Sequence, residues 1–289
     1  MKQALVVGGD SVLGSALSEK LRQHQWNVLS TTRRKTSDPN NGFFLDLSQD
    51  PSFWKIPAHP DVGFLLAAIT QVKECEKNPV LSSVVNVTNT LVLAQKLLEK
   101  NIFTVFSSSS LVLDGSVQYI GISAPVNPQV EYARQKAIVE AHLLKMKTSA
   151  CVIRFPKIVN SHDVLFQGWI RDLKKGIPIF PFSDLNFSPI SVGFATDVLV
   201  EVAKRKTCGL FQVSAEEQIS YADAAFYLAK KLNISEKLIK PLSGKTQDPL
   251  LKLWPQYTIL DSSDLIKKIG LKIPKIDNAL DTILTDGMN

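Results

Sequence analysis

No apolar run in the chain approaches the ~20 residues a membrane-spanning helix needs, which removes a membrane partner from the expected roles. There are three cysteines, Cys75, Cys151 and Cys208, far apart and without CxxC spacing. That excludes a disulfide framework and a thiolate zinc site, and it fits a reducing, cytoplasmic location. The four histidines, His24, His59, His142 and His162, are scattered, so no metal site is expected. The opening MKQALVVGG has one lysine and a short apolar stretch that glycines interrupt at once, so it reads as a first strand, not as a signal peptide. Internal repeats and low-complexity segments are lacking. Acidic residues are the minority, 27 against 33 basic, and much of the excess lysine lies after residue 230. No nucleic-acid recognition motif accompanies that charge. It reads as a solvated basic surface or as an attraction for anionic small molecules, with no nucleic-acid partner.

With 289 residues, the chain has room for one large domain or two modest ones. Its first informative stretch is VVGGDSVLG at Val6–Gly14. Ala4-Leu5-Val6-Val7 reads as a buried strand. Gly8 and Gly9 allow a bend, and Leu13, Leu17 and Leu21 then recur at helical spacing. A strand, a glycine turn and a helix N-terminus in that order make an anion site, because the first helical N–H groups are unpaired and the dipole favours negative charge. Ser11 stands between Gly8 and Gly14, where many dinucleotide folds carry another glycine. On these residues alone, a tight strand–helix turn without a ligand is the competing reading.

Strands are predicted at Gln3–Gly8, Asn27–Thr32, Phe43–Asp46, Gly63–Ala68, Phe103–Ser108 and Ala150–Phe155, with helices at Gly14–Gln25, Pro79–Lys100 and Val130–Met146. This alternation predicts an α/β fold, a Rossmann-type doubly wound parallel sheet, with ligands at the carboxyl ends of its strands. After Phe155 the rhythm breaks. Helices are expected at Asp163–Lys175, Phe194–Lys204, Tyr221–Leu232, Asp261–Ile269 and Asp277–Leu284. The expected division is a dinucleotide-binding domain over 1–160 and a smaller α/β substrate lobe over 161–289. The lobes would interleave, with strand Gly209–Ser214 returning to the large sheet.

Two further stretches carry chemistry. In EYARQK, Tyr132 and Lys136 are four apart and share one helix face. A nearby ammonium favours the phenolate and should pull a tyrosine pKa down from about 10, suiting it to proton transfer. An amphipathic helix with buried Tyr and solvated Lys is the bland alternative. In TVFSSSSLVLDG, Ser107–Ser110 fall at a strand's carboxyl end, where a hydroxyl could bond a substrate oxygen or could simply cap a turn.

Together, glycine turn, strand-end serine and Tyr-x-x-x-Lys resemble the extended short-chain dehydrogenase/reductase superfamily. Within it the chain is most similar to the dTDP-4-dehydrorhamnose reductase family of sugar nucleotide-binding proteins. Phe44-Leu45-Asp46-Leu47, Ala67-Ala68-Ile69-Thr70, Asn86-Val87, Ser109–Gly115, Val152-Ile153-Arg154 and Phe187–Ile190 carry the likeness over nearly the whole chain. The resemblance implies Tyr132 as general acid and Lys136 as the residue that tunes it and holds the nicotinamide ribose. It implies Ser109 as the hydroxyl partner, with Ser108 as the alternative register. Gly8, Ser11, Val12, Leu13 and Gly14 would surround the pyrophosphate; Asp46 and Leu47 would sit at the adenine, with Ala67 and Ala68 beside the cofactor. Against the family pattern, Leu111 replaces an aromatic and Phe155-Pro156-Lys157 replaces Thr-Ser-Trp.

The second strand ends in Thr31-Thr32-Arg33-Arg34-Lys35 and lacks the carboxylate that usually holds an NAD ribose. Arg33 and Arg34 could grip a 2′-phosphate, which favours NADP (NADPH) over NAD; an exposed basic loop is the other reading. The expected function is NADPH-dependent reduction of a keto group on a nucleotide-activated deoxysugar. An NADP-binding regulatory protein with little turnover and a nucleotide-sugar epimerase remain the alternatives. A homodimer through helices 79–100 and 130–146 is a further expectation, although Leu91, Leu93, Leu97, Leu98, Ile138, Leu143 and Leu144 could equally pack on the sheet.

Overall fold

A strand covered on both faces needs apolar residues at every position, since alternate side chains point to opposite sides. The computed structural model describes residues 1–34, 42–54, 56, 59–146 and 149–285, and it places Ala4-Leu5-Val6-Val7 in such a strand. Strand β1 (Gln3–Val7) feeds helix α1 (Val12–Gln23), and β2 (Asn27–Thr32), β3 (Phe43–Phe44) and β4 (Val62–Leu65) follow. The short α2 (Val72–Lys77) precedes α3 (Pro79–Ser83) and α4 (Thr90–Glu99), which a π-helical segment over Val84–Asn89 joins. Then come β5 (Phe103–Ser109), α5 (Glu131–Lys145) and β6 (Ala150–Phe155). Past β6 the chain forms β7 (Ile158–Val159), α6 (Val164–Lys174), β8 (Asn186–Phe187), β9 (Ile190–Ser191), α7 (Val192–Arg205) and β10 (Gly209–Gln212). It ends with β11 (Ile219–Ser220), α8 (Tyr221–Lys231), α9 (Ser263–Ile269) and α10 (Ile276–Leu284).

Seven strands form one sheet in the order β10-β6-β5-β4-β1-β2-β3, every neighbouring pair parallel. This is the doubly wound Rossmann-type arrangement. Ala4, Val6, Phe64, Val105 and Ile153 pack on one face against Leu17 and Leu21 of α1 and Val198, Leu199 and Val202 of α7. Leu5, Val7, Leu65, Phe106 and Val152 pack on the other against Leu93 and Leu97 of α4 and Val139 and Leu143 of α5. Leu91, Leu98 and Leu144 are partly buried against the same cluster. Of the apolar residues named above for an intersubunit face, only Ile138 is largely exposed, at 44%. Strand β10 closes the sheet beside β6, so residues 209–212 belong to the large sheet although they lie well past β6 in sequence. A separate apolar cluster past β6 is built from Phe166, Ile170, Phe187, Leu228, Leu280 and Ile283. Among the described residues, no helix is long and apolar enough to cross a membrane, and no group of His, Cys, Asp or Glu is placed to hold a metal.

The strand expected at Gly63–Ala68 runs Val62–Leu65, ending three residues early, and three further elements differ from the expectation. The third strand stops at Phe44, because Asp46 turns the chain by accepting the Ser48 N–H at 2.9 Å. The helix expected over Pro79–Lys100 contains the π-helical segment, where Thr90 Oγ1 donates to the Val85 carbonyl at 2.8 Å. Helix α2 has one buried side chain, Cys75, and so lacks the apolar periodicity that would announce it.

One charged pair lies inside this core. Arg154 on β6 and Glu140 on α5 have side chains 1% and 3% exposed, and Nη2 meets Oε2 at 2.8 Å while Nε reaches both carboxylate oxygens at 3.1 and 3.2 Å. Breaking such a pair leaves an uncompensated buried charge. Arg154→Met should therefore destabilise by about 3–5 kcal/mol in urea unfolding, whereas Glu140→Leu with Arg154→Met should cost clearly less.

Candidate functional site

The carboxyl ends of β1, β2 and β4 surround a cleft of about 290 Å³. Gly8 opens it at φ +91°, and a Cβ there would lie 2.8 Å from the Ala67 backbone nitrogen, so only glycine lets the turn approach β4 this closely. The Gly8 N–H is held by Thr31 Oγ1 at 3.0 Å, which ties the turn to the end of β2. Thr32 Oγ1 donates to Asp10 at 2.6 Å and fixes the next residue of the turn.

Ser11 takes an extended conformation, φ −77°, so its position does not require glycine. Its Oγ donates to the Gly8 carbonyl at 2.7 Å and accepts the Gly14 N–H at 3.0 Å, capping α1. The serine therefore replaces a glycine at no conformational cost and stiffens the turn. Val12 and Leu13 keep their N–H groups at the positive end of α1. Gly14 is buried against Gly8, where a Cβ would collide with the Gly8 carbonyl.

Gly8, Ser11, Arg33, Asp46, Leu47, Ala67 and Ala68 all line the cleft. Val12, Leu13, Gly14 and Arg34 are not among its walls, and Lys35 lies outside the described residues. The walls themselves are held by two asparagines of the π-helical segment. Asn86 accepts the Ile69 N–H at 2.8 Å, donates to the Ile69 carbonyl at 2.9 Å, and reaches Gln135 Oε1 on α5 at 2.7 Å. Asn89 Nδ2 donates to the carbonyls of Leu47 and Gln49 at 2.7 and 3.0 Å. Sequence reading singled out Asn86 only as a landmark and passed over Thr31, Thr32 and Asn89. Two buried amides inside an otherwise apolar helix were the available signal.

A second cavity of about 210 Å³ lies beyond this cleft, with Ile69 lining the first and Thr70 the second. Ser109, Ser110, Leu111, Tyr132, Pro156 and Lys157 form its floor, and Phe187, Ser188, Tyr221, Trp254 and Thr258 come from the lobe side. Ser109 is the last residue of β5 and faces Tyr132; Ser108 points to the opposite face, where it is 4% exposed and pairs in register with Arg154. Strand alternation thus brings Ser109, not Ser108, to the phenol.

Lys136 lies one turn below Tyr132 and is 4% exposed. Its Nζ donates to the Ser107 carbonyl at 2.8 Å, sits 4.6 Å from the Phe106 ring centre and 5.8 Å from that of Tyr132. Burial pulls its pKa down to about 8, opposed by the Glu140 carboxylate. The Tyr132 phenol moves up from its ordinary value, against the sequence expectation. The cause is burial, which outweighs the opposing hydrogen bond from Ser109. A phenol in this state keeps its proton at neutral pH.

With this geometry, comparison with known proteins places the chain. The family model of the RmlD substrate-binding domain matches residues 1–288. The chain belongs to that family. It is 23% identical to a probable low-salt glycan biosynthesis reductase of Haloferax volcanii, over 96% of this chain and 95% of the relative. It is 25% identical to methionine adenosyltransferase 2 subunit beta of Xenopus laevis, over 94% of this chain and 84% of that one. The dTDP-4-dehydrorhamnose reductase of Bacillus anthracis in complex with NADP has the same fold, with a TM-score of 0.82 at 18% identity and 99% coverage of both chains.

Asn89 supplies a direct test of the cleft. Asn89→Leu leaves the Leu47 and Gln49 carbonyls without their donor and should cost about 1–3 kcal/mol. Amide hydrogen exchange should quicken at residues 47–49 and stay unchanged in β5.

Proposed function

We propose that the chain is an NADPH-dependent reductase of a keto group on a nucleotide-activated deoxysugar. The observation that carries this reading is one cavity holding Ser109 and Tyr132, with Lys136 directly beneath, next to a glycine-turned cleft. The cleft's residues suit a dinucleotide. Gly8 removes the side chain that would block close approach, and α1 presents its N-terminus there. Arg33 offers a cation where an NAD-selective site would carry a carboxylate. The NADP complex of the Bacillus anthracis structure supports that choice. Asp46 and Leu47 would flank the adenine, and Ala67 and Ala68 the rest of the cofactor.

When bound, NADPH supplies the hydride. Tyr132 gives its proton to the carbonyl oxygen, and Ser109 orients that oxygen with a hydrogen bond. The Lys136 ammonium stabilises the phenolate left behind, which regains its proton from water. A further chamber of about 270 Å³ adjoins the reactive cavity and is lined by Trp169, Phe180, Phe182, Leu185 and Leu251. Its apolar, aromatic walls suit a planar base, with the sugar held at Tyr132.

The likeness to methionine adenosyltransferase 2 subunit beta favours a second reading, an NADP-binding regulatory subunit. Turnover separates the two. Purified protein should oxidise NADPH with a dTDP- or UDP-linked 4-keto-6-deoxy sugar, and Tyr132→Phe should lower kcat by about 10²–10⁴ while NADPH affinity changes little. NADPH binding without consumption, identical in both proteins, supports the regulatory reading. Interconversion of two sugar nucleotides without net consumption supports an epimerase.

The reductase reading also fixes a pH dependence. Lys136 carries its charge below about 8 and loses it above. Reduction should therefore decline as the pH rises through that value, and Lys136→Met, already slow, should lack this limb.

A further inference from the structure

The chain has five tyrosines, and their hydroxyls differ. Tyr119 donates to the Glu216 carbonyl at 3.2 Å and Tyr227 to Asp281 at 2.8 Å; Tyr257 accepts from Gln256 at 3.3 Å. Tyr132 faces Ser109. Among the described residues, only the Tyr221 hydroxyl lacks a partner, and it is not sealed away with the fully buried unpaired atoms Ser108 Oγ, Arg154 Nη1 and Gln212 Oε1. Tyr221 lines both the reactive cavity and the apolar chamber, and among the described residues it shares that position only with Trp254.

The ring has little freedom. It stacks on Phe187 with centres 4.4 Å apart and an interplanar angle of 20°, and it meets Trp169 edge-on at 6.4 Å. Trp254, the other shared wall, already donates its Nε1–H to the Asn186 carbonyl at 3.1 Å. The neighbouring Asp163 carboxylate is engaged by Lys157 at 3.0 Å and by the Leu165 and Phe166 N–H groups at the start of α6. Burial and that carboxylate both favour the protonated phenol. A rigid O–H donor thus stands at the junction of two chambers with no acceptor from the chain. An unpaired polar group in such a place costs free energy unless a ligand or water meets it.

We propose that Tyr221 is a substrate-recognition residue whose hydroxyl donates to a diphosphate oxygen of the substrate where it passes from the sugar cavity to the base chamber. The inference rests on the nucleotide-sugar reading and adds to it the residue that reads the linker. Lys157 lines the same cavity, paired with Asp163, whereas among the described residues no charged side chain lines the apolar chamber.

The test is titration calorimetry of NADP⁺-saturated protein with dTDP-glucose, UDP-glucose, dTDP and thymidine, comparing wild type with Tyr221→Phe. Phenylalanine keeps the ring and its stack on Phe187. Loss of one hydrogen bond should weaken the best-bound diphosphate probe about three- to tenfold, leave thymidine unchanged, and leave NADP⁺ affinity intact. Equal affinities of the two proteins for the diphosphate probes overturn the role of Tyr221 while leaving the nucleotide-sugar reading in place. Equal weakening of thymidine moves the hydroxyl to the base and also overturns it. Failure of every probe to bind wild type, with NADP⁺ still bound, overturns the nucleotide-sugar reading and this inference with it.

Discussion

Covering both faces of the sheet is the constraint from which the rest follows. A parallel strand buried on both sides has little room for polar residues along its length, so functional groups gather where strands end. All seven strands run the same way, and their carboxyl ends gather at one edge. There the Gly8 turn, Ala67–Thr70 after β4 and Ser109 at the end of β5 come together from distant parts of the sequence. Apolar packing thereby creates the polar edge. The helices that cover the sheet, α4 and α5 above all, bring the remaining groups to it.

Several polar residues that enter the interior fix geometry at that edge. Asn86 and Asn89 interrupt an apolar helix and hold Ile69 and Leu47, opposite walls of the cleft. Glu140 lies one turn below Lys136, as Lys136 lies one turn below Tyr132. It takes the Arg154 guanidinium on its far side and favours the Lys136 ammonium on its near side. The buried pair is thus continuous with the face of α5 that carries Tyr132 and Lys136. Burial alone would neutralise a lysine in this position; the carboxylate one turn away opposes that tendency.

The sheet was legible because its signals are local. Four apolar residues followed by two glycines announce a buried strand and a turn, and Tyr132 and Lys136 announce themselves by spacing. Gly8, Ser11 and Arg33 were read from the glycine turn and a strand end, whereas Asp46, Leu47, Ala67 and Ala68 came from the family resemblance; all seven line the cleft. What the sequence concealed is non-local. Thr31 looks like an ordinary strand residue until its hydroxyl is seen to hold the Gly8 N–H, 23 residues away in sequence. Asn89 bonds to carbonyls 42 and 40 residues back. The direction of the Tyr132 shift was misjudged for a related reason: spacing reveals the nearby ammonium but not the depth of burial, and burial prevails. Only the alternation of β5 in three dimensions distinguishes Ser109 from Ser108.

The two halves of the site are built on different principles, and this bears on how one scaffold serves several roles. The cofactor side depends largely on backbone: a positive φ at Gly8, a helix N-terminus, and carbonyls gripped by buried amides. Such features survive wide change in side chains, so relatives near 25% identity can keep them. The substrate side depends on side-chain identity. Leu111 and Lys157 at the floor, and Tyr221, Trp254 and Phe187 opposite, set its shape and charge. A reductase of glycan synthesis and a subunit of methionine adenosyltransferase can therefore resemble this chain to the same degree over nearly its whole length.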